Sequence, residues 1–184
     1  MANAKYEALF KENNHEVGVV NSSWAKEYVN GARLTVSDLD NYLLVEFDGY
    51  DDDGVKKCKP LTSNATKGFL VSTVEEEALF ADETMIQGNY TDFYNKNGDM
   101  VKLTIQEPFL RFETSAFTKH SGAETLKLGM VAHYDFTTKK YIVSKVGSEH
   151  SEYNDAVNKY EVVGISTDFG ANVGKETIRL QCMA

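Results

Sequence analysis

Two groups of side chains in this chain have the types that could do chemistry: carboxylates crowded into residues 48–54, and four histidines. Asp48, Asp51, Asp52 and Asp53 precede Gly54, and several carboxylates on one loop could supply the hard oxygen ligands that calcium takes. With Gly54 set at the glycine of a calcium loop, Gly49 falls at the first ligand position and Pro60 where a bidentate glutamate belongs. The run therefore reads as a solvated hairpin tip. His15, His120, His133 and His150 fall in separate segments, without the short spacing or nearby cysteine pair of a zinc site. They read as scattered surface residues, with His133, inside a strand, a structural or edge residue. Cys58 and Cys182 read as two free, buried thiols of a reducing compartment. No G-x-S-x-G elbow, phosphate-cradling glycine loop or H-E-x-x-H sequence occurs. A glycosidase pair is assembled from distant positions and needs no motif, yet no two carboxylates single themselves out. The chain is expected to have no catalytic residues, no metal and no cofactor.

The elements that would position these residues are short alternating strands. Leu43, Val45 and Phe47 alternate with Leu44, Glu46 and Asp48, and Val101, Leu103 and Ile105 with Lys102, Thr104 and Gln106, each placing an apolar face toward a core. Residues 42–48 and 55–59 form a hairpin around Asp53-Gly54. Asn97-Gly98 is expected to join residues 91–94 to 101–105 in a second, because both dipeptides accept the positive φ a tight turn requires. Residues 69–73 and 109–115 are further strands, residues 126–135 and 140–146 form another hairpin, and residues 160–167 and 177–182 supply two final strands. Ser72 and Thr73 each stand three residues before a glutamate, Glu75 and Glu76, which predicts one short helix ending near Asp82. Residues 151–158 are expected to make a brief helical turn. Residues 1–35 carry little periodicity and read as an irregular N-terminal arm or lead-in, and residues 36–184 as a single β-rich domain. About eight or nine strands with one short helix predict a mostly β fold, an antiparallel barrel or sandwich.

Composition narrows the function classes. The 184 residues carry 42% apolar content, enough for one cored domain, and only Pro60 and Pro108 interrupt it. A net charge of -9 repels a phosphate backbone on average, which disfavours nucleic acid. No run reaches 18 apolar residues and the first ten lack a secretory pattern, so a protein made in a cytoplasm, with no membrane partner, is expected. The sequons at Asn21, Asn64 and Asn89 are then chance matches. Two aromatic groups remain for binding. Trp24 and Tyr28 stand in a polar part of the lead-in, with Phe10 upstream, and such residues anchor interfaces because they bury large area at small entropic cost. The alternative is that Trp24 folds back over the chain's own core. Phe109, Phe112, Phe117, Tyr134, Phe136 and Tyr141 read as core rather than a base-stacking surface, since stacking surfaces come with basic grooves.

Several stretches, taken in order, resemble a small virion protein of tailed bacteriophages found beside the major capsid protein, of the head decoration or cement type. They are NSSWAKEYVNG (residues 21–31), LDNYLLVEFDGY (39–50), GVKKCK (54–59), DFYN (92–95), RFETSAF (111–117), GMVAHYD (129–135) and NDAVNKY (154–160). The resemblance implies a non-enzymatic structural protein synthesised in the host bacterial cytoplasm and carried on the capsid exterior. Its partners would be the major capsid protein and neighbouring copies of itself, with the lead-in as a clasp anchored by Phe10, Trp24 and Tyr28. It carries over no residue-level site. A tail or head-to-tail connector protein, and from another class a carbohydrate-binding or hydrolytic β-sandwich, are the alternatives.

Overall fold

The computed structural model describes residues 15–20, 25–27, 31–36, 39–73, 93–166 and 175–183. In chain order the strands are β1 (Gly18–Val20), β2 (Lys26–Glu27), β3 (Ala32–Leu34), β4 (Leu44–Tyr50), β5 (Lys56–Pro60), β6 (Phe69–Val71) and β7 (Met100–Val101). There follow β8 (Leu103–Ile105), β9 (Arg111–Thr114), β10 (Phe117–Lys119), β11 (Val131–Asp135), β12 (Lys140–Ser144), β13 (Lys159–Ser166) and β14 (Thr177–Cys182). They form two seven-stranded sheets, ordered β1-β9-β14-β13-β11-β12-β10 and β2-β8-β6-β4-β5-β3-β7. Both orders are open, so the fold is sandwich-like and the barrel alternative is corrected. Each sheet is mixed rather than antiparallel throughout: β10 runs parallel to β12, and β3 parallel to β5.

The expected hairpins formed where turn chemistry and alternation agree. β4 pairs β5 across a turn with Gly54 at φ 78°, and β11 pairs β12; the two final strands, β13 and β14, pair with each other as well, which the sequence left open. The Asn97-Gly98 turn is present, with Gly98 at φ 92°, but it does not close the expected hairpin. Asn95 bridges to Leu39, β7 pairs β3, and β8 pairs β6 and β2, so the residues flanking the turn go to different partners.

The described residues contain no helix, and the polar groups of Ser72 and Thr73, expected to cap one, bond to other segments. The Ser72 and Thr104 hydroxyls share a 2.8 Å hydrogen bond, the Thr73 hydroxyl accepts the Lys102 N–H, and the Thr73 N–H donates to Asn41 Oδ1. These two residues are thus tied into the sheet, and residues 74–82 of the expected helix lie outside the described residues. Residues 151–155 form turns, held by the Tyr153 N–H to the His150 carbonyl and the Ala156 N–H to the Glu152 carbonyl.

The described parts of residues 1–35 contribute β1, β2 and β3 to the two sheets, with Ala32 and Leu34 fully buried. A Cβ on Gly18 would lie 2.0 Å from the Glu113 carbonyl oxygen and 2.6 Å from the Tyr42 ring, so only glycine lets β1 seat on β9.

One apolar cluster joins the facing sheets: Leu34, Leu44, Leu70 and Leu103 from one, Phe112, Tyr134, Tyr141, Tyr160, Ile178 and Leu180 from the other. The tyrosine rings pack edge to face, Tyr134 on Tyr141 at 5.1 Å and Tyr141 on Tyr160 at 5.2 Å. Polar bonds cross between the sheets. The Tyr141 hydroxyl donates to the Tyr42 carbonyl at 2.8 Å, and the Tyr160 hydroxyl donates to Gln106 Oε1. Gln106 Nε2 reaches the Gly68 carbonyl at 2.7 Å, while Asn158 Oδ1 accepts the Gly68 N–H and its Nδ2 donates to the Thr66 carbonyl. Buried groups satisfied in this way fix how the sheets face one another.

Candidate functional site

Alternation along β11 sends successive side chains to opposite faces. Ala132 and Tyr134 enter the core cluster, so Val131, His133 and Asp135 face the other side of the sheet. That outer face would ordinarily meet solvent, yet β11 is buried at all five positions. It is covered by residues 145–155, which turn back after β12. The Gly147 N–H donates to Glu149 Oε1, the His150 N–H donates to Ser144 Oγ, and the turns at residues 150–155 follow.

This return places His150 over His133. Their rings stack at 5.4 Å with 27° between planes, and the edge of Tyr153 closes on His133 at 6.0 Å. His120 joins from the end of β10, its ring 5.1 Å from that of His150, because the parallel β10·β12 pairing brings it alongside Ser144. One donor atom each from His133, His150 and Glu152 lie within 4.8 Å of one another. Three of the four histidines expected as unrelated surface residues are therefore neighbours.

His133 has no solvent exposure, and neither of its ring nitrogens has a hydrogen-bond partner. Among the described residues it is the one side chain with two such orphaned atoms. Burial, with the charge of His150 beside it, pushes its pKa down to about 4, so the ring is neutral at physiological pH with a lone pair available. Nearby polar groups are engaged elsewhere. The Asp135 carboxylate accepts the N–H groups of Thr137 and Thr138 and the Thr138 hydroxyl, and Lys159 Nζ donates to the Asn154 carbonyl. Glu152 lies at the exposed rim, where Asn64 Nδ2 donates to its Oε2 at 2.9 Å. Asn64 is itself fixed, since its Oδ1 accepts the Phe136 N–H.

A second feature sits at one end of the sandwich. Ala25 and Lys26, next to and on β2, and Glu107, Pro108, Phe109, Arg111 and Gln181 from the other sheet's end line a groove of about 630 Å³. Phe109 is 69% exposed at φ 72°, a left-handed conformation that a bulky residue rarely adopts. Its N–H donates to the Cys182 carbonyl at 3.0 Å, which holds the backbone in place. Lys26 pairs with Glu107 at 2.9 Å across the groove. The strained backbone presents a large apolar ring to solvent beside paired charges.

The remaining sequence candidates have plainer settings. Asp48 pairs with Lys59 at 2.8 Å, which lowers its pKa. Asp51 accepts the Val55 and Asp53 N–H groups and pairs with Arg33, which lowers its pKa as well, so this run is a hydrogen-bonded hairpin tip. Cys58 and Cys182 are free and buried, and burial pushes both thiols up to about 12. Of the six aromatics expected as core, Phe112, Tyr134 and Tyr141 are buried, Phe117 and Phe136 pack partly buried on the core, and Phe109 is exposed. Phe10, Trp24 and Tyr28 lie outside the described residues. The histidine cluster was partly readable: the hairpin register sets His133 opposite Ile142, and His150 follows eight residues on. The parallel crossing that delivers His120 left no sequence signal.

Along residues 11–183 the chain matches a protein family described as "YonC prophage protein". It is 36% identical over 182 residues, spanning 98% of each chain, to a Bacillus subtilis (strain 168) protein described as "SPbeta prophage-derived uncharacterized protein YonC". No solved structure matches the chain.

Proposed function

The chain belongs to the YonC prophage protein family, and from that premise we propose that it is a non-enzymatic structural protein of a phage particle, a decoration or cement protein on the capsid exterior. It docks on the major capsid protein and on neighbouring copies of itself. The observation that carries this reading is the groove at the end of the sandwich, where Phe109 is held exposed in a strained backbone. An apolar anchor ringed by the Lys26–Glu107 pair suits burial against another protein surface. Trp24 and Tyr28, the anchors expected from the sequence, bracket the groove-lining residues Ala25 and Lys26 in the chain. Many symmetry-related copies let modest individual contacts act together. A charge of -9 keeps the free protein soluble before assembly and suits a surface away from packaged DNA.

Electron microscopy of purified particles labelled with antibody against this chain tests the placement. Label over the whole head is the expected outcome. Label at one vertex or along the tail moves the assignment to a connector or tail part, and absence of the chain from purified particles rejects a virion role. Co-sedimentation with bare heads tests the groove: Phe109→Asp and Trp24→Ala are each expected to lower occupancy about tenfold. Full occupancy by both variants would place the docking surface elsewhere.

A further inference from the structure

We propose that His133, His150 and Glu152 form a binding site for one divalent cation of the zinc class, which fastens residues 145–155 to the outer face of the sheet. Three independent features of the structure converge on it. The donor atoms already lie within 4.8 Å of one another, so small side-chain rotations bring them onto one ion. His133 is wholly buried with both ring nitrogens unpartnered, and an orphaned buried polar atom costs free energy that a coordinated ion would offset. Glu152, the exposed member, is held by Asn64 through its Oε2, as outer groups commonly orient a metal-ligating carboxylate.

The neighbours that could otherwise satisfy His133 are committed. Asp135 spends both carboxylate oxygens on its own turn, and the Lys159 ammonium is drawn to the Asn154 carbonyl and over the Tyr153 ring at 5.0 Å. The hydrogen bond that the His150 ring accepts is long, 3.4 Å from the Glu152 N–H to Nδ1, and gives way readily to a coordinate bond. Two imidazoles with one carboxylate select zinc, cobalt, nickel or copper over calcium and magnesium, which take oxygen ligands. His120 packs its ring edge on His150 at 5.1 Å and lies outside the set of close donor atoms. The inference does not depend on the docking role: a particle protein of either placement, or a free one, would carry the same site.

The test uses the full chain, stripped with chelator and titrated with zinc chloride by calorimetry. One cation per chain with micromolar or tighter affinity is expected. His150→Ala, in the covering loop and outside the strands, should weaken binding at least hundredfold, Glu152→Gln and Asn64→Ala about tenfold each. His15→Ala, whose ring is hydrogen-bonded to Asp40 at a different place, should bind as the parent does. His133→Ala should also lose binding, and circular dichroism of each variant confirms that the sheets persist. Cobalt provides a second readout, since coordination by imidazole gives visible absorption bands that His150→Ala abolishes. Heat no greater than dilution in the parent chain overturns the proposal, and so does binding that survives unchanged in His150→Ala and Glu152→Gln, which would mark loose surface association.

Discussion

His133 and Tyr134 are consecutive on β11 and equally buried, yet they live in opposite chemical worlds. The inner face, reached by Tyr134, is a core of interlocked aromatic rings in which Tyr141 and Tyr160 donate their hydroxyls to partners from the opposing sheet. The outer face, reached by His133, is covered there by the rings of His150 and Tyr153, with two ring nitrogens of His133 unpartnered. The inner face is not without fault, since the Tyr134 hydroxyl also lacks a partner, but its groups are chiefly there to hold two sheets together. Polar groups that serve a fold are paired within it, whereas polar groups left unpaired in a covered pocket suit something that arrives from outside.

The largest consequence lies on the inner face. Tyr141→Ala removes a ring that contacts Phe112, Tyr134 and Tyr160 and leaves the Tyr42 carbonyl without its donor, and should cost about 3–5 kcal/mol in urea unfolding. A loss below about 1 kcal/mol would mean that the aromatic set does not hold the sandwich.

The two faces should also fail at opposite ends of the pH scale. In chelator-treated protein His133 titrates near 4 when folded against 6.5 when free. Between those values the unfolded chain takes up the extra proton, so the stability is complete above pH 6.5 and is lost as pH falls toward 4. The loss is on the order of 3 kcal/mol, tempered by His120, His150, Asp135 and Lys159 around the ring. On the inner side, Cys58 and Cys182 ionise near 12 when folded against 9 when free. Above pH 9 the unfolded chain gives up those protons first, so stability declines with rising pH by up to about 1.4 kcal/mol per unit for each thiol. Native protein at pH 8 should accordingly resist alkylation until unfolded. Urea midpoints across pH 4–11 check both arms, and a flat acid limb would remove the contrast.

The smallest effect distinguishes a structural histidine from a receptive one. His133→Leu deletes two unsatisfied buried atoms while roughly keeping volume, so in chelator-treated protein it should be neutral or stabilising by about 1 kcal/mol. A structural histidine would show a clear loss.

Much of the inner face was legible in the chain. Strand pairs β4·β5 and β11·β12 follow from short alternating runs with turn residues between them, β13 and β14 read as strands without their pairing, and the aromatic positions 112, 134 and 141 read correctly as core. What escaped depends on contacts between distant segments. Ala32-Arg33-Leu34 alternates for only three residues, too few to stand out, although β3 sits between β5 and β7. Ser72 and Thr73 carry a helix-capping pattern, while their own polar groups bond to Thr104, Lys102 and Asn41. The Asn97-Gly98 turn formed while its flanks found other partners. Of the outer-face cluster, His120 was missed for the same reason, because it meets His150 only through the parallel β10·β12 crossing.

Crystals grown with zinc and measured at its absorption edge test the contrast between the two faces most directly. One strong anomalous peak within bonding distance of His133, His150 and Glu152 is the expected result. A diffraction map with that pocket closed by protein groups, or with zinc bound only at other surface sites, would contradict it.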